Sequence, residues 1–289
     1  MAVETTLELT RKAAMHMAER GIENARLDAE LMLGSILGLN RLQLYMQFDR
    51  PVDGAQLDQF RSMVRRRLKR EPLQYILGEA HFRTLQLHVD ARVLIPRPET
   101  ELLVEKVLEF LRAEQRTGPV LDIGTGSGAI AIALAVEGEV QQLVASDLSG
   151  DAIAVARQNA ERAGVTDRIE FRTSSLWQVV RPGERFDVVV SNPPYIGEVE
   201  RVELQPEVRD WEPGQALFAG ADGLDAVRLI VAGAAGYLTP GGLLAMEIGA
   251  GQGAAVLDLL ERAPGLKDCR IEKDLAGRDR MALARATEE

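Results

Sequence analysis

The stretch Phe186-Asp-Val-Val-Val-Ser191, followed at once by Asn192-Pro193-Pro194-Tyr195, decides how the rest of the chain is read. Its run of β-branched residues has the composition of a strand buried on both faces, the kind found in parallel sheets. Pro193 and Pro194 stop it, because neither can donate to a sheet ladder and both fix φ. Asn192 precedes a proline, so its backbone is held extended. The turn therefore presents carbonyl oxygens without competing donors, beside an Asn side-chain oxygen. Two fixed acceptors suit a neutral, planar –NH2 group with two hydrogens to give. Tyr195 adds a flat ring on which an amide or a base can stack. A weakly nucleophilic nitrogen held there becomes positive as it attacks an electrophilic carbon, and the acceptors stabilise that developing charge. Asn and Pro are also ordinary turn residues, so the four residues alone read equally well as a strand-ending turn.

Upstream, Val120-Leu-Asp-Ile123 reads as a buried strand, and Gly124-Thr125-Gly126-Ser127-Gly128 follows it, opening an apolar helix from Ala129 to Val136. Alternating glycines at a strand-to-helix turn let backbone N–H groups approach a ligand closely. The spacing is G-x-G-x-G, not the G-x-G-x-x-G of nicotinamide-binding turns. The next strand, Gln142 to Ser146, ends in Asp147, about twenty residues after the glycines, where an acid suits the two hydroxyls of an unphosphorylated ribose. Together they predict an adenosine-type cofactor at the carboxyl ends of parallel strands. The alternation continues with a helix from Asp151 to Ala163, a strand from Ile169 to Thr173, and a loop carrying Ser174, Ser175 and Trp177. Trp177 either lies against an adenine ring or anchors the core.

Downstream, a helix near Gly223 to Leu238 precedes a turn at Thr239-Pro-Gly-Gly242 and a strand from Leu243 to Ile248. Two strand-like runs between Arg270 and Arg285 read as an antiparallel edge pair. Repeated β-α units with this finish predict an α/β fold with a doubly wound, Rossmann-like sheet of about seven strands.

The first part of the chain differs. From Thr5 to about Tyr75 apolar residues recur at threes and fours, as at Leu57, Phe60, Val64 and Leu68, which predicts a small helical bundle. Its exposed faces suit recognition, with stabilisation of the neighbouring domain the other reading. Alternation between Gly78 and Leu94 predicts a linking β-hairpin. In Ile95-Pro-Arg-Pro-Glu-Thr-Glu101, Thr100 stands where it could cap a helix beginning near Glu101. The expected domains are therefore 1–77, a hairpin linker 78–95, and 96–289.

The chain has 289 residues and a formal net charge of −10. Residues 1–75 hold 12 Lys and Arg against 10 Asp and Glu, which leaves −12 on the remainder. That balance disfavours a general grip on a nucleic-acid backbone. Arg61, Arg65, Arg66, Arg67, Lys69 and Arg70 form a basic run that reads as a solvated helix face, or otherwise as a dock for an acidic partner. The single Cys269 reads as packing rather than as a nucleophile, and His16, His81 and His88 show no metal-ligand spacing. No stretch approaches the ~20 apolar residues of a membrane span, and the first residues are unlike a secretory signal, so a cytoplasmic protein is expected.

Taken together, Leu-Asp-Ile-Gly-Thr-Gly-Ser-Gly, Asp147 and Asn-Pro-Pro-Tyr resemble the class I methyltransferases that use S-adenosyl-L-methionine to modify an amide or exocyclic amino nitrogen. Ala25-Arg-Leu-Asp-Ala-Glu-Leu31, Glu71-Pro-Leu-Gln-Tyr-Ile-Leu-Gly78, Ile95-Pro-Arg-Pro-Glu-Thr-Glu101 and Asp274-Leu-Ala-Gly-Arg-Asp-Arg280 narrow the resemblance to the peptide chain release factor glutamine methyltransferases. It implies N5-methylation of the glutamine in the Gly-Gly-Gln motif of class I release factors. It also implies roles for residues. Gly124, Thr125, Gly126, Ser127 and Gly128 would line the methionine and ribose of the cofactor, Asp147 would hold the ribose, and Trp177 would sit by the adenine. Asn192 and the Pro193 carbonyl would accept from the glutamine amide, with Pro194 and Tyr195 beside it and Phe82 and Arg97 as pocket neighbours. The expected partner is a release factor, with no stable nucleic acid, no membrane and a monomeric state. A glutamine methyltransferase of a large-subunit ribosomal protein, a nucleic-acid adenine methyltransferase and a cofactor-binding module without turnover are the competing readings.

Overall fold

The computed structural model describes residues 4–288. The outermost positions of the expected domains, residues 1–3 and 289, lie outside the described residues, as does the start of the segment read as unlike a secretory signal. The chain divides into two compact units, one comprising Met1–Gly78 with Gln205–Trp211, the other Glu79–Leu204 with Glu212–Glu289.

The first unit is helical: α1 (Thr6–Ala18), α2 (Ala25–Leu37), α3 (Arg41–Met46), α4 (Gly54–Leu68) and α5 (Leu73–Leu77). Reciprocal caps start three of them, Thr5 with Glu8, Asn40 with Gln43 and Asp53 with Gln56, each satisfying two otherwise unpaired backbone donors. Met17, Ala29, Met32, Leu33 and Phe60 form its core. The basic run does not act as one solvated face. Arg61, Arg65 and Lys69, four residues apart, are exposed, but Arg67 is buried. Arg67 donates to Asp28 Oδ2 at 2.7 Å and to Glu207 Oε1 at 2.8 Å. Arg66 pairs with Glu71, and Arg70 forms an ion pair with Glu207.

The second unit begins with the antiparallel pair β1 (Glu79–Phe82) and β2 (Leu85–His88), then α6 (Pro98–Ala113). The β-α alternation follows as β3 (Val120–Ile123), α7 (Ala129–Glu137), β4 (Leu143–Asp147), α8 (Gly150–Ala163), β5 (Ile169–Thr173) and β6 (Phe186–Ser191). Helix α9 (Pro206–Trp211) is the segment that groups with the first unit. The chain closes with α10 (Asp225–Tyr237), β7 (Leu238–Glu247), α11 (Gly253–Arg262), β8 (Leu266–Lys273) and β9 (Asp279–Ala286). The seven-stranded sheet has the order β5-β4-β3-β6-β7-β9-β8, parallel except where β9 pairs antiparallel with β7 and β8.

Side chains alternate across a strand, so each strand feeds two cores. In β6, Val188 and Val190 enter one core with α6, α7 and α8 residues, while Val189 enters the other with α10 and α11 residues. Both faces are covered, which explains why β6 shows no polar alternation.

Two local expectations are corrected. Thr239-Pro-Gly-Gly242 is not a turn between elements but part of β7, with Gly241 at φ +68 and a register irregularity between Phe186 and Val188 absorbing the proline. Thr100 does not cap α6, because Pro98 takes the first helical position and Arg97 is the N-cap. Its hydroxyl is thereby left for another partner. Among the described residues no helix is long and apolar enough to cross a membrane.

Candidate active site

Strands β3, β4 and β6 are parallel neighbours whose carboxyl ends coincide, with Ile123 opposite both Ser146 and Ser191. The sheet order runs outward in both directions from β3 and β6, the topological switch where open α/β sheets bind ligands. A cavity of about 420 Å³ opens there. That is within the range of small-molecule sites. Ile123, Gly124, Gly126, Asp147, Ser191, Asn192, Pro193 and Pro194 line it, with Leu148, Leu176, Phe218 and Leu229 among its apolar walls.

The glycine turn is built by division of labour. Gly124 and Gly126 face the cavity with φ of +76 and +55, in the left-handed region that favours glycine. Gly128, Thr125 and Ser127 hold the turn instead of lining the cavity. A Cβ on Gly128 would lie 2.8 Å from Ile132 and 3.2 Å from Ala156, so glycine there permits the packing of α7 on α8. The Thr125 hydroxyl donates to Asp122 Oδ2 at 2.7 Å, and the Ser127 carbonyl accepts from Asn159 at 2.8 Å.

Asp147, at the end of β4, accepts from the Gly126 N–H on one oxygen and from the Ser149 N–H on the other, both at 2.9 Å. Burial raises its carboxyl above the usual range, and those backbone donors offset part of the shift. A carboxylate has about four acceptor sites, so each oxygen keeps capacity for a ligand hydroxyl. Asp122 is fully buried and desolvation pushes its carboxyl up to about 7, with Thr125 pulling it back. Its Oδ1 has no hydrogen-bond partner, and the Ala131 N–H that favours its charge makes no bond of good geometry to it. Asp122 itself does not line the cavity, although its neighbours Ile123 and Gly124 do.

At the end of β6 the Ser191 hydroxyl ties the strand to β3 through the Ile123 carbonyl at 2.7 Å. The Asn192 Nδ2 group donates to Thr100 Oγ1 at 3.1 Å, and Thr100 donates to Glu247 Oε2 at 2.6 Å. Tyr195 does not line the cavity. Its hydroxyl donates to Glu247 Oε1 at 3.1 Å, and its carbonyl accepts from Gln252 Nε2 at 2.8 Å. Burial, reinforced by the Glu247 charge, holds the Tyr195 phenol above its ordinary pKa, so it stays protonated at neutral pH.

Besides Thr125, Ser127, Gly128 and Tyr195, three more expected site residues fall outside the cavity lining. Trp177 is not against the cavity: its indole N–H donates to the Leu229 carbonyl at 2.8 Å and its ring stacks on Tyr237, while neighbouring Leu176 takes the cavity wall. Phe82 is fully buried in the core beside α6 and α7. Arg97 is engaged by Glu212, at 2.6 Å, rather than lining the cavity, and Glu212 also accepts from the Ile95 N–H at 3.3 Å. Sequence reasoning gave Thr100 only a capping role and assigned none to Asp122, Glu212, Glu247 or Gln252. Glu247 carried a signal, an acid ending the apolar run Leu243-Leu-Ala-Met, and so did Asp122, an acid within the run Val120-Leu-Asp-Ile123. Among the described residues no group of three or more His, Cys, Asp or Glu could hold a metal ion.

Comparison with known proteins finds two family models along the chain. A family model described as the PrmC N-terminal domain matches residues 8–78, and one described as a methyltransferase small domain matches residues 98–205. The release factor glutamine methyltransferase of Geobacter sulfurreducens is 47% identical over 270 residues, 93% of each chain. That of Chlorobaculum tepidum is 43% identical over 287 residues, 96% of each chain. Among solved structures, the hMettl16 catalytic domain in complex with MAT2A 3'UTR hairpin 1 superposes with a TM-score of 0.56 at 16% identity, covering 82% of this chain and 83% of that one. A methyltransferase from Pyrococcus furiosus gives 0.51 at 20% identity, covering 71% of this chain and 90% of that one. These two likenesses concern the fold.

Proposed function

The chain belongs to the release factor glutamine methyltransferases, and from that premise we propose its reaction and the residues that perform it. It transfers a methyl group from S-adenosyl-L-methionine to the N5 amide nitrogen of the glutamine in the Gly-Gly-Gln motif of class I peptide chain release factors. The observation that carries this reading is that Asn192 and Pro193 line the same cavity as Gly124, Gly126 and Asp147. An acceptor pair for an –NH2 group thus shares one chamber with an adenosine-type site.

When bound, S-adenosyl-L-methionine supplies an electrophilic methyl group on a sulfonium. Asp147 takes the ribose hydroxyls with the acceptor capacity its backbone donors leave. Leu148, Leu176 and Phe218 give apolar cover for the adenine. Asn192 Oδ1 and the Pro193 carbonyl accept the two hydrogens of the substrate amide and stabilise the positive charge that grows on its nitrogen. Positioning supplies most of the remaining rate, and the scheme calls on no strong base. The surplus proton leaves to solvent.

Incubating the protein with S-adenosyl-L-methionine and, separately, a class I release factor and the large-subunit ribosomal protein, followed by peptide mass spectrometry, tests the proposal. One added methyl on the Gly-Gly-Gln glutamine, lost when that glutamine is replaced, is expected. A methyl on the ribosomal protein alone would overturn the substrate assignment.

A further inference from the structure

Glu247 ends β7 with 1% of its surface exposed, and it does not line the cavity. Burying a carboxylate is costly unless its oxygens are hydrogen-bonded, so its partners identify what it is kept for. They are two hydroxyls, Thr100 at 2.6 Å and Tyr195 at 3.1 Å. Desolvation works against its charge, as does Glu99, while the two hydroxyls and Arg280 favour it. The Thr100 distance is that of an O–H donating to an ionised oxygen.

A carboxylate only accepts, and each hydroxyl has one hydrogen. Thr100 therefore donates to Glu247, and toward Asn192 its Oγ1 can only accept. The group it faces at 3.1 Å must then be the Asn192 –NH2 end. A flipped amide would set Oδ1 against an oxygen with no hydrogen left to give. The polarity of this chain starts at Glu247 and ends at the turn whose two prolines already fix the Asn192 backbone.

We propose that Glu247, acting through Thr100, is a positioning residue that sets the Asn192 amide with Oδ1 turned from Thr100 and available as acceptor for the substrate amide, while holding Tyr195 through its other oxygen. The inference rests on the reading of Asn192 as the residue that binds the substrate amide. The device replaces the low selectivity of an amide between its two orientations with one orientation dictated by charge.

The test is a rate cycle on the full chain, with kcat for peptide methylation and the Kd for S-adenosyl-L-methionine measured for each variant. Glu247→Met removes both acceptors, Thr100→Val removes the hydroxyl at nearly constant volume, and Thr100→Ser keeps it. Both removals are expected to lower kcat roughly 10–100-fold with cofactor Kd within about threefold, and Thr100→Ser to keep most of kcat. Added to Asn192→Ala, Thr100→Val is expected to cost nothing further. Equal losses with and without the Asn192 side chain would overturn the proposal, because Thr100 would then act independently of it. Wild-type kcat in Thr100→Val beside a slow Asn192→Ala would overturn the positioning role and leave the substrate reading intact. Wild-type kcat in Asn192→Ala would overturn both. Should Glu247→Met not fold, by circular dichroism, the Thr100 variants decide the question.

Discussion

Trp177 and Tyr237 stack with ring centroids 4.9 Å apart and planes 20° from parallel, which commits the indole to the α10 side of the sheet. The neighbouring Leu176, at a φ of +44, faces the cavity instead. Trp177→Ala is expected to cost about 3 kcal/mol of stability through lost aromatic packing. Cofactor affinity measured by calorimetry should stay within about threefold of wild type. A large loss of affinity with stability unchanged would return Trp177 to the adenine site.

Asn192→Ala removes the side-chain acceptor but leaves the proline-fixed turn. Turnover should fall by roughly 10²–10³, the usual cost of one oriented hydrogen-bonding group at a charge-developing centre. The Kd for S-adenosyl-L-methionine should change by no more than a few fold, which equilibrium binding would measure. Parallel losses in both would mark Asn192 as a cofactor or structural residue.

Arg67 is 8% exposed and shared between Asp28 and Glu207. Arg67→Met leaves the buried Asp28 carboxylate uncompensated and Glu207 with Arg70 alone, and is expected to destabilise the helical unit by about 3–5 kcal/mol. Chemical denaturation should show an early transition assignable to α1–α5. Replacing only the exposed Arg65 should move stability by less than about 0.5 kcal/mol.

Asp122 gives a pH dependence opposite in sign to that of a salt-bridged acid. Its folded-state carboxyl is raised to about 7 by desolvation. The stability it contributes is therefore fully present below the unfolded value, about 4, and is lost as pH rises through about 7. Asp122→Asn stays neutral and can still accept from Thr125. Its stability relative to wild type should climb between about pH 4 and 7 and level off above, as read by urea unfolding at several pH values. A constant difference across that window would show that Asp122 does not titrate there.

The sheet, the glycine turn, Asp147 and the proline-stopped strand were legible because each is written in contiguous residues with a local physical meaning. Partners set by tertiary contact were not. Thr100 follows Pro98 in a stretch that reads as a helix start, and nothing local distinguishes a capping hydroxyl from one directed at Glu247, 147 residues away. Trp177 and Leu176 are adjacent, and only the fold of their loop decides which one faces the ligand chamber. The basic run misled for a related reason, since a helical period places Arg67 on the inner face and Arg61, Arg65 and Lys69 on the outer one. Glu207, the acid that makes an inward arginine tolerable, lies 140 residues further on.

The return of Gln205–Trp211 to the helical unit limits how this protein can be recombined. A fragment cut after Gly78 leaves behind the carboxylate that Arg67 and Arg70 share, so Arg67 would keep only Asp28 and Arg70 would lose its ion pair with Glu207. Exchange of the helical unit between relatives therefore takes a second graft, of a seven-residue helical segment deep within the methyltransferase sequence. A single crossover at the domain boundary pairs an arginine from one parent with an acid from the other. Chimeras should therefore take both segments from one parent.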